Sequence, residues 1–131
     1  MSYWLLKTEP SCYSYEELEK DKKTVWDGVN NNLALKYLRQ IKKGDKAIIY
    51  HTGDVKAAIG IAEIVSNAYV DPKQNDPKLA VVDLKPEKRL KKPVTLAEIK
   101  ANKAFKDFLL VKMSRLSVMP VSQDEWELIC R

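Results

Sequence analysis

Lys46-Ala47-Ile48-Ile49-Tyr50-His51-Thr52-Gly53-Asp54, followed by Ala57-Ala58-Ile59-Gly60-Ile61-Ala62-Glu63-Ile64-Val65, decides the fold. Both runs are rich in isoleucine and alanine, and Thr52-Gly53-Asp54 breaks them as a turn would. Gly60, inside the second run, predicts either a β-bulge or a close approach of another group to the backbone. Outward from this pair, Tyr3 to Lys7 is a short apolar run ended by Pro10, which predicts a buried strand. Leu79-Ala80-Val81-Val82-Asp83-Leu84 predicts another, and Leu109-Leu110-Val111 and Leu116-Ser117-Val118-Met119 also read as extended. Val70 to Pro77, with two prolines, reads as a loop.

Helices sit between and after these strands. Three S/T-x-x-E patterns, at Ser14–Glu17, Thr95–Glu98 and Ser122–Glu125, match the capping box that satisfies the free amides of a first helical turn. Leu33, Ala34, Tyr37, Leu38 and Ile41 recur at helical spacing, with Asn30 to Asn32 as N-cap candidates. Lys42 and Lys43 then fall in the expected last turn and Gly44 at the stop. The fold class expected is α+β: a curved sheet or small barrel with short flanking helices, in a single domain over residues 1–131.

The chain has 131 residues, with 23 Lys plus Arg against 18 Asp plus Glu, a formal charge of +5. At 45% hydrophobic and 31% charged it has globular composition, too apolar for a disordered chain. No apolar run approaches the ~20 residues of a membrane helix. The first residues reach Glu9 and Pro10 without a long apolar region, so no signal peptide is expected. A cytosolic or nuclear location follows, with the cytoplasm as the working assignment, no membrane partner and a monomeric state. Cys12, Cys130 and the single histidine, His51, form no recognisable ligand set, so neither a metal nor a cofactor is expected.

Positive charge gathers at Lys20, Lys22 and Lys23, at Lys42, Lys43 and Lys46, and from Lys85 through Lys88, Arg89, Lys91 and Lys92. Each cluster is either a phosphate-binding patch or a solvated surface. Only four arginines occur, so Arg115, between Met113 and Leu116, carries more information than another lysine. It either grips a phosphate or caps a carboxylate such as Asp27. Trp26-Asp27-Gly28 offers a flat aromatic face beside a carboxyl group, suited to stacking a base, or else a core plug and a helix cap. Lys7-Thr8-Glu9 ends a strand, as a pocket lining or a solvated turn. His51, ending another, is a structural residue or a catalyst. No Gly-rich phosphate loop, nucleophile elbow or Ser/His/Asp arrangement is present.

Taken in order, WLLKTEP (4–10), YS (13–14), WDGV-x-N (26–31), YHT (50–52), GIAE (60–63), AY-x-DP (68–72), PVTL-x-x-IK (93–100) and SRLSVMPV (114–121) resemble the EVE domain family. That family groups with PUA and YTH-like β-barrel folds, and the similarity runs from Tyr3 to Ile129. Two departures stand out. Asn30 occupies the place of the family's usual Arg, and Val70 to Leu79 is short and lacks an aromatic residue before Val81. The resemblance implies a non-enzymatic reader of modified nucleobases in DNA or RNA, taking a flipped-out base into an aromatic-lined pocket. It implies Trp26 as the stacking wall, with Asp27 and Asn31 bonding the base edge or bracing the turn. Lys7, Thr8, Tyr50, His51 and Ser117 would line the cavity, Arg115 would meet phosphate, Ser14 would lend its hydroxyl, and Asn30 would stand at the altered contact. The alternative is a PUA-like amidohydrolase of modified nucleosides using Lys7, Thr8 and Glu9. Adjacent strand residues face opposite ways, which weighs against their convergence. A protein-interaction domain with a vestigial pocket is the third reading.

Overall fold

A computed structural model describes residues 1–130. Strand β1 (Tyr3–Thr8), next to one edge of the sheet, runs parallel to β3 (Lys46–His51) and antiparallel to β7 (Val118–Val121). Leu5, Leu6, Ile48 and Ile49 are buried on both faces, which explains why these strands read as unbroken apolar runs. β4 (Ala57–Ile64) follows β3 as an antiparallel hairpin, and β6 (Ala80–Thr95) lies beyond it. β2 (Thr24–Trp26) pairs with β6, giving the order β2-β6-β4-β3-β1-β7, and the two-residue β5 (Tyr69–Val70) pairs with the start of β6. The sheet is mixed and curls into a half-barrel with short helices at its flanks.

Register breaks cause the curl. On β4, Ala58 opposes Val94 whereas Gly60 opposes Arg89, so β6 carries extra residues there, and a second shift lies between Ile61 and Ala62. Such bulges bend a strand and sharpen its twist. Gly60 serves both roles expected of it: it sits at the bulge, and the Tyr15 ring packs onto its backbone. A Cβ at residue 60 would stand 2.6 Å from the Tyr15 Cζ.

All three capping boxes form. Ser14 Oγ accepts from the Glu17 amide (3.2 Å) while Glu17 accepts from the Ser14 amide (3.0 Å), opening α1 (Tyr15–Asp21). Thr95 with Glu98 opens α3 (Leu96–Ala101), and Ser122 with Glu125 opens α5 (Gln123–Cys130). Asn31 caps α2 (Asn32–Leu38), its Oδ1 accepting from the Ala34 amide at 3.1 Å.

Three expectations are corrected, and one strand proves longer than its apolar run. α2 stops at Leu38 rather than running to the lysines, and Gly44 (φ +95°) belongs to the turn into β3. The cause is Asp45: its buried carboxylate accepts from the Ser2 amide, the Trp4 indole N–H and the Lys42 amide at 2.9–3.0 Å, tying residues 42–45 into a tight turn. Leu109-Leu110-Val111 lies in a short helix, α4 (Leu109–Lys112), because three apolar residues fit a buried helical turn as well as a strand. The expected extended run Leu116 to Met119 begins only at Val118. Lys85 to Lys92 belongs to a strand, where tertiary pairing overrides the low β-propensity of lysine. Two of its five cations are paired, Lys85 with Glu63 and Arg89 with Glu19, and its Glu87 pairs with Lys46 of β3.

Gly60→Ala is expected to lower stability by about 1–3 kcal/mol through overpacking against Tyr15. A urea unfolding curve showing an unchanged midpoint would refute this.

Candidate functional site

One end of β1 opens onto a cleft of about 830 Å³, a volume typical of small-ligand sites. Lys7 and Thr8 leave the core as β1 ends, Trp26 ends β2, and Ser117 precedes β7; all four line the cleft. After Trp26 the chain leaves the sheet through Gly28, whose φ of +76° is open to glycine at little cost, and Asp27 lines the cleft. Trp26 is 7% exposed and meets Tyr13 edge-to-face at 6.2 Å, an arrangement worth about 0.5–1.5 kcal/mol.

Tyr13 is set by its neighbours. Thr8 Oγ1 donates to the Tyr13 carbonyl at 2.7 Å, and the Tyr13 hydroxyl donates to Asp21 at 2.8 Å. Burial pushes the Tyr13 phenol up from its ordinary pKa, so it keeps its proton. Lys7 is half-buried, with Nζ donating to the Ser114 carbonyl at 2.9 Å and lying 5.8 Å from the centre of the Tyr50 ring. Burial lowers its pKa. At the rim, Asp83 accepts from Tyr69 at 2.6 Å and faces Lys23 at 3.8 Å. The cleft thus offers an ammonium, hydroxyls, carboxylate acceptors and aromatic surface. No histidine lines it among the described residues, and no group of three His, Cys, Asp or Glu is placed there to hold a metal.

Of the residues expected at the site, Lys7, Thr8, Trp26, Asp27 and Ser117 come together here. Others take different positions. Ser14 is committed to its capping box, Asn31 to capping α2, and Tyr50 is buried beneath Lys7. His51 is buried, and its Nε2 accepts the Tyr15 amide at 3.1 Å. Arg115 is exposed beside a neighbouring hollow with Asn31, and Asn30 borders another with Asp71. Arg115 therefore does not cap Asp27. Sequence reasoning missed Tyr13, Thr24 and Asp83, and read Lys23 only as part of a basic cluster. An aromatic residue just before an N-cap was the available signal for Tyr13, since that position packs back onto neighbouring structure.

The comparisons with known proteins agree with this architecture. A sequence model of the EVE domain matches residues 2–131, and the chain belongs to the EVE domain family. Thymocyte nuclear protein 1 of Homo sapiens is 32% identical, the alignment covering 98% of this chain and 72% of the human protein. That alignment spans 162 positions, more than the 131 residues here, so the human protein carries insertions relative to this chain. The NMR structure of a Rhodopseudomonas palustris protein superposes with a TM-score of 0.93 at 42% identity, covering 99% of this chain and 91% of that one. The crystal structure of the human THYN1 protein in complex with 5-methylcytosine-containing DNA superposes with a TM-score of 0.89 at 30% identity, covering 99% and 96%.

His51 carries a pH dependence. Burial, then the Arg89 charge, lower its pKa below the usual value, and Glu9 opposes them. Below about pH 6.5 the unfolded chain binds a proton that the native imidazole resists, so stability is full above that pH and falls as pH drops. Melting temperature is expected to decline from pH 7.5 to 5, and the His51→Gln variant to decline less. Parallel curves would refute the assignment.

Proposed function

We propose that this protein binds a modified nucleobase, extruded from DNA, in the cleft bounded by Trp26, Tyr13, Asp27 and Lys7. The observation that carries the reading is the gathering of an aromatic pair with donors and acceptors in one cleft, in a fold whose human relative was crystallised with 5-methylcytosine-containing DNA. The aromatic surface takes the face of the base and any added methyl group. Asp27 accepts from an exocyclic amine, as carboxylates do with cytosine N4, while Lys7 donates to a ring carbonyl or to the flanking phosphate. RNA with the same modification presents the same base edge and forms a second arm of the test.

The reading includes no covalent step. Thr8 and Lys7 reach the cleft, but Glu9 turns away and packs its carboxylate against Gly53, where a Cβ would stand 2.5 Å from Oε2. The Lys-Thr-Glu set that a hydrolase would need is therefore divided, which supports binding over turnover. One copy of the chain supplies every group invoked.

Fluorescence anisotropy with oligonucleotides containing 5-methylcytosine or cytosine is the direct test. One methyl group in an apolar pocket is worth about 1–3 kcal/mol, so the modified strand is expected to bind about 10–200-fold tighter. Trp26→Ala, verified as folded by its melting curve, is expected to remove most of that preference. Asp27→Asn, at an exposed position, is expected to weaken both strands instead. Equal affinity of the unaltered protein for the two strands would end the proposal.

A further inference from the structure

The segment 111–117 borders three hollows in succession. Ser117 lines the base cleft. Lys112 to Leu116 line a second hollow of about 440 Å³, together with Asn31 and Leu33. Val111 lines a third, of about 370 Å³, whose other walls include Lys100, Lys103 and Lys106 over Ile99 and Phe105. Fully extended, the segment would span at most about 25 Å.

Exposed cations gather along this route. On β6 and β3, Lys85, Arg89 and Lys46 are matched by glutamates. Lys100, Lys103, Lys106 and Arg115 are exposed and make no ion pair among the described residues. Of the acidic groups nearby, Asp107 pairs with Lys112 at 3.3 Å, and Glu98 is held in the Thr95 capping box. The 3-10 turn Lys103–Phe105 adds a geometric point, because side chains three apart on such a turn eclipse one another. Lys103 and Lys106 are thereby brought to one side, and Lys100, at the end of α3, lines the same hollow. Like charges so placed weaken a fold slightly, and no ion pair among the described residues offsets them. An apolar floor of Ile99, Phe105 and Val111 beneath them focuses their field outward.

We propose that the strand carrying the extruded base leaves the cleft past Ser117 and Arg115, its sugar–phosphate backbone following segment 111–117 to the hollow under Lys100, Lys103 and Lys106. This rests on the base-binding reading, and it assigns the backbone one exit rather than a diffuse positive surface. Lysine suits such a path because its compact charge holds a phosphate without reading sequence. The path therefore contributes affinity and orientation, and the cleft contributes selectivity.

The test measures binding of methylated and unmodified DNA duplexes between about 50 and 200 mM salt. In the Lys100→Ser/Lys103→Ser/Lys106→Ser variant, the slope of log K against log salt is expected to shrink in magnitude by about 2–3, roughly one per lost phosphate contact. Both duplexes should weaken alike, leaving their ratio unchanged. Replacing the same three lysines by arginine should retain the slope. Lys42→Ser/Lys43→Ser, at the opposite end of β1, should leave it unchanged. An unaltered slope in the triple variant, an equal loss in the control, or a loss confined to the methylated duplex would each overturn the path. If the unaltered protein shows no methyl preference while the triple variant still flattens the slope, the base reading fails and the backbone path stands. Binding to neither duplex would overturn both.

Discussion

Tyr15 packed onto Gly60 is the contact on which the site depends. The ring lies directly on backbone where any side chain would stand, its hydroxyl donates to the Ile61 carbonyl at 2.7 Å, and Arg89 covers it at 5.4 Å. Its amide is held by His51. One residue thus joins the start of α1 to β4, to the end of β3 and to β6. Tyr13, two residues upstream, can then meet Trp26, and Thr8 can reach the Tyr13 carbonyl. The cleft is assembled from strand ends, but this helix start closes one side of it. Its burial also explains the phenol: desolvation, chiefly, pushes the Tyr15 pKa up to about 12.

The cleft and its surroundings divide the work of recognition by physical type. Discrimination on a methyl group uses apolar contact, which is short-ranged and limited to about 1–3 kcal/mol. Attraction for a polyanion uses unmatched lysines, which act at longer range and fade with salt. A net charge of +5 suffices because it is unevenly distributed. Glutamates of α1, β4 and β6 pair with Arg89, Lys85 and Lys46, while Lys100, Lys103, Lys106 and Arg115 gather along segment 111–117 with no ion pair among the described residues. Asp27 and Asp83 inside the cleft temper its positive character, so phosphate is attracted around the base site more than into it.

What the sequence displayed depended on the range of the interactions involved. Capping boxes at Ser14, Thr95 and Ser122 involve residues three apart, and all three were legible. β1 and β3 were legible because burial on both faces leaves continuous apolar runs. β2 was not, since Thr24-Val25-Trp26 becomes a strand only by pairing with Leu84 to Val82, far along the chain. The charged half of β6 hid for the same reason. Within the site, Lys7, Thr8, Trp26 and Asp27 were visible as residues leaving strand ends or turns, whereas Ser117 was implied only by the resemblance to the EVE family. His51 and Asn31 share that local signature, yet their polar atoms are committed to Tyr15 and Ala34. Only the distant partner distinguishes a ligand-facing group from one bonded inward.

The position of β1 has a consequence for how the molecule assembles. One of its edges waits for β3, some forty residues later, and the other for β7, near the far end of the chain. A chain emerging from the ribosome can form the β3–β4 hairpin early, yet the apolar β1 keeps an open side until residues 118–121 emerge. Such an unpaired edge is a template for joining another copy. Pairings this distant in sequence also slow folding, because loop closure must precede the contacts that stabilise it. The strand that anchors the finished domain is therefore the one most in need of chaperone cover during synthesis.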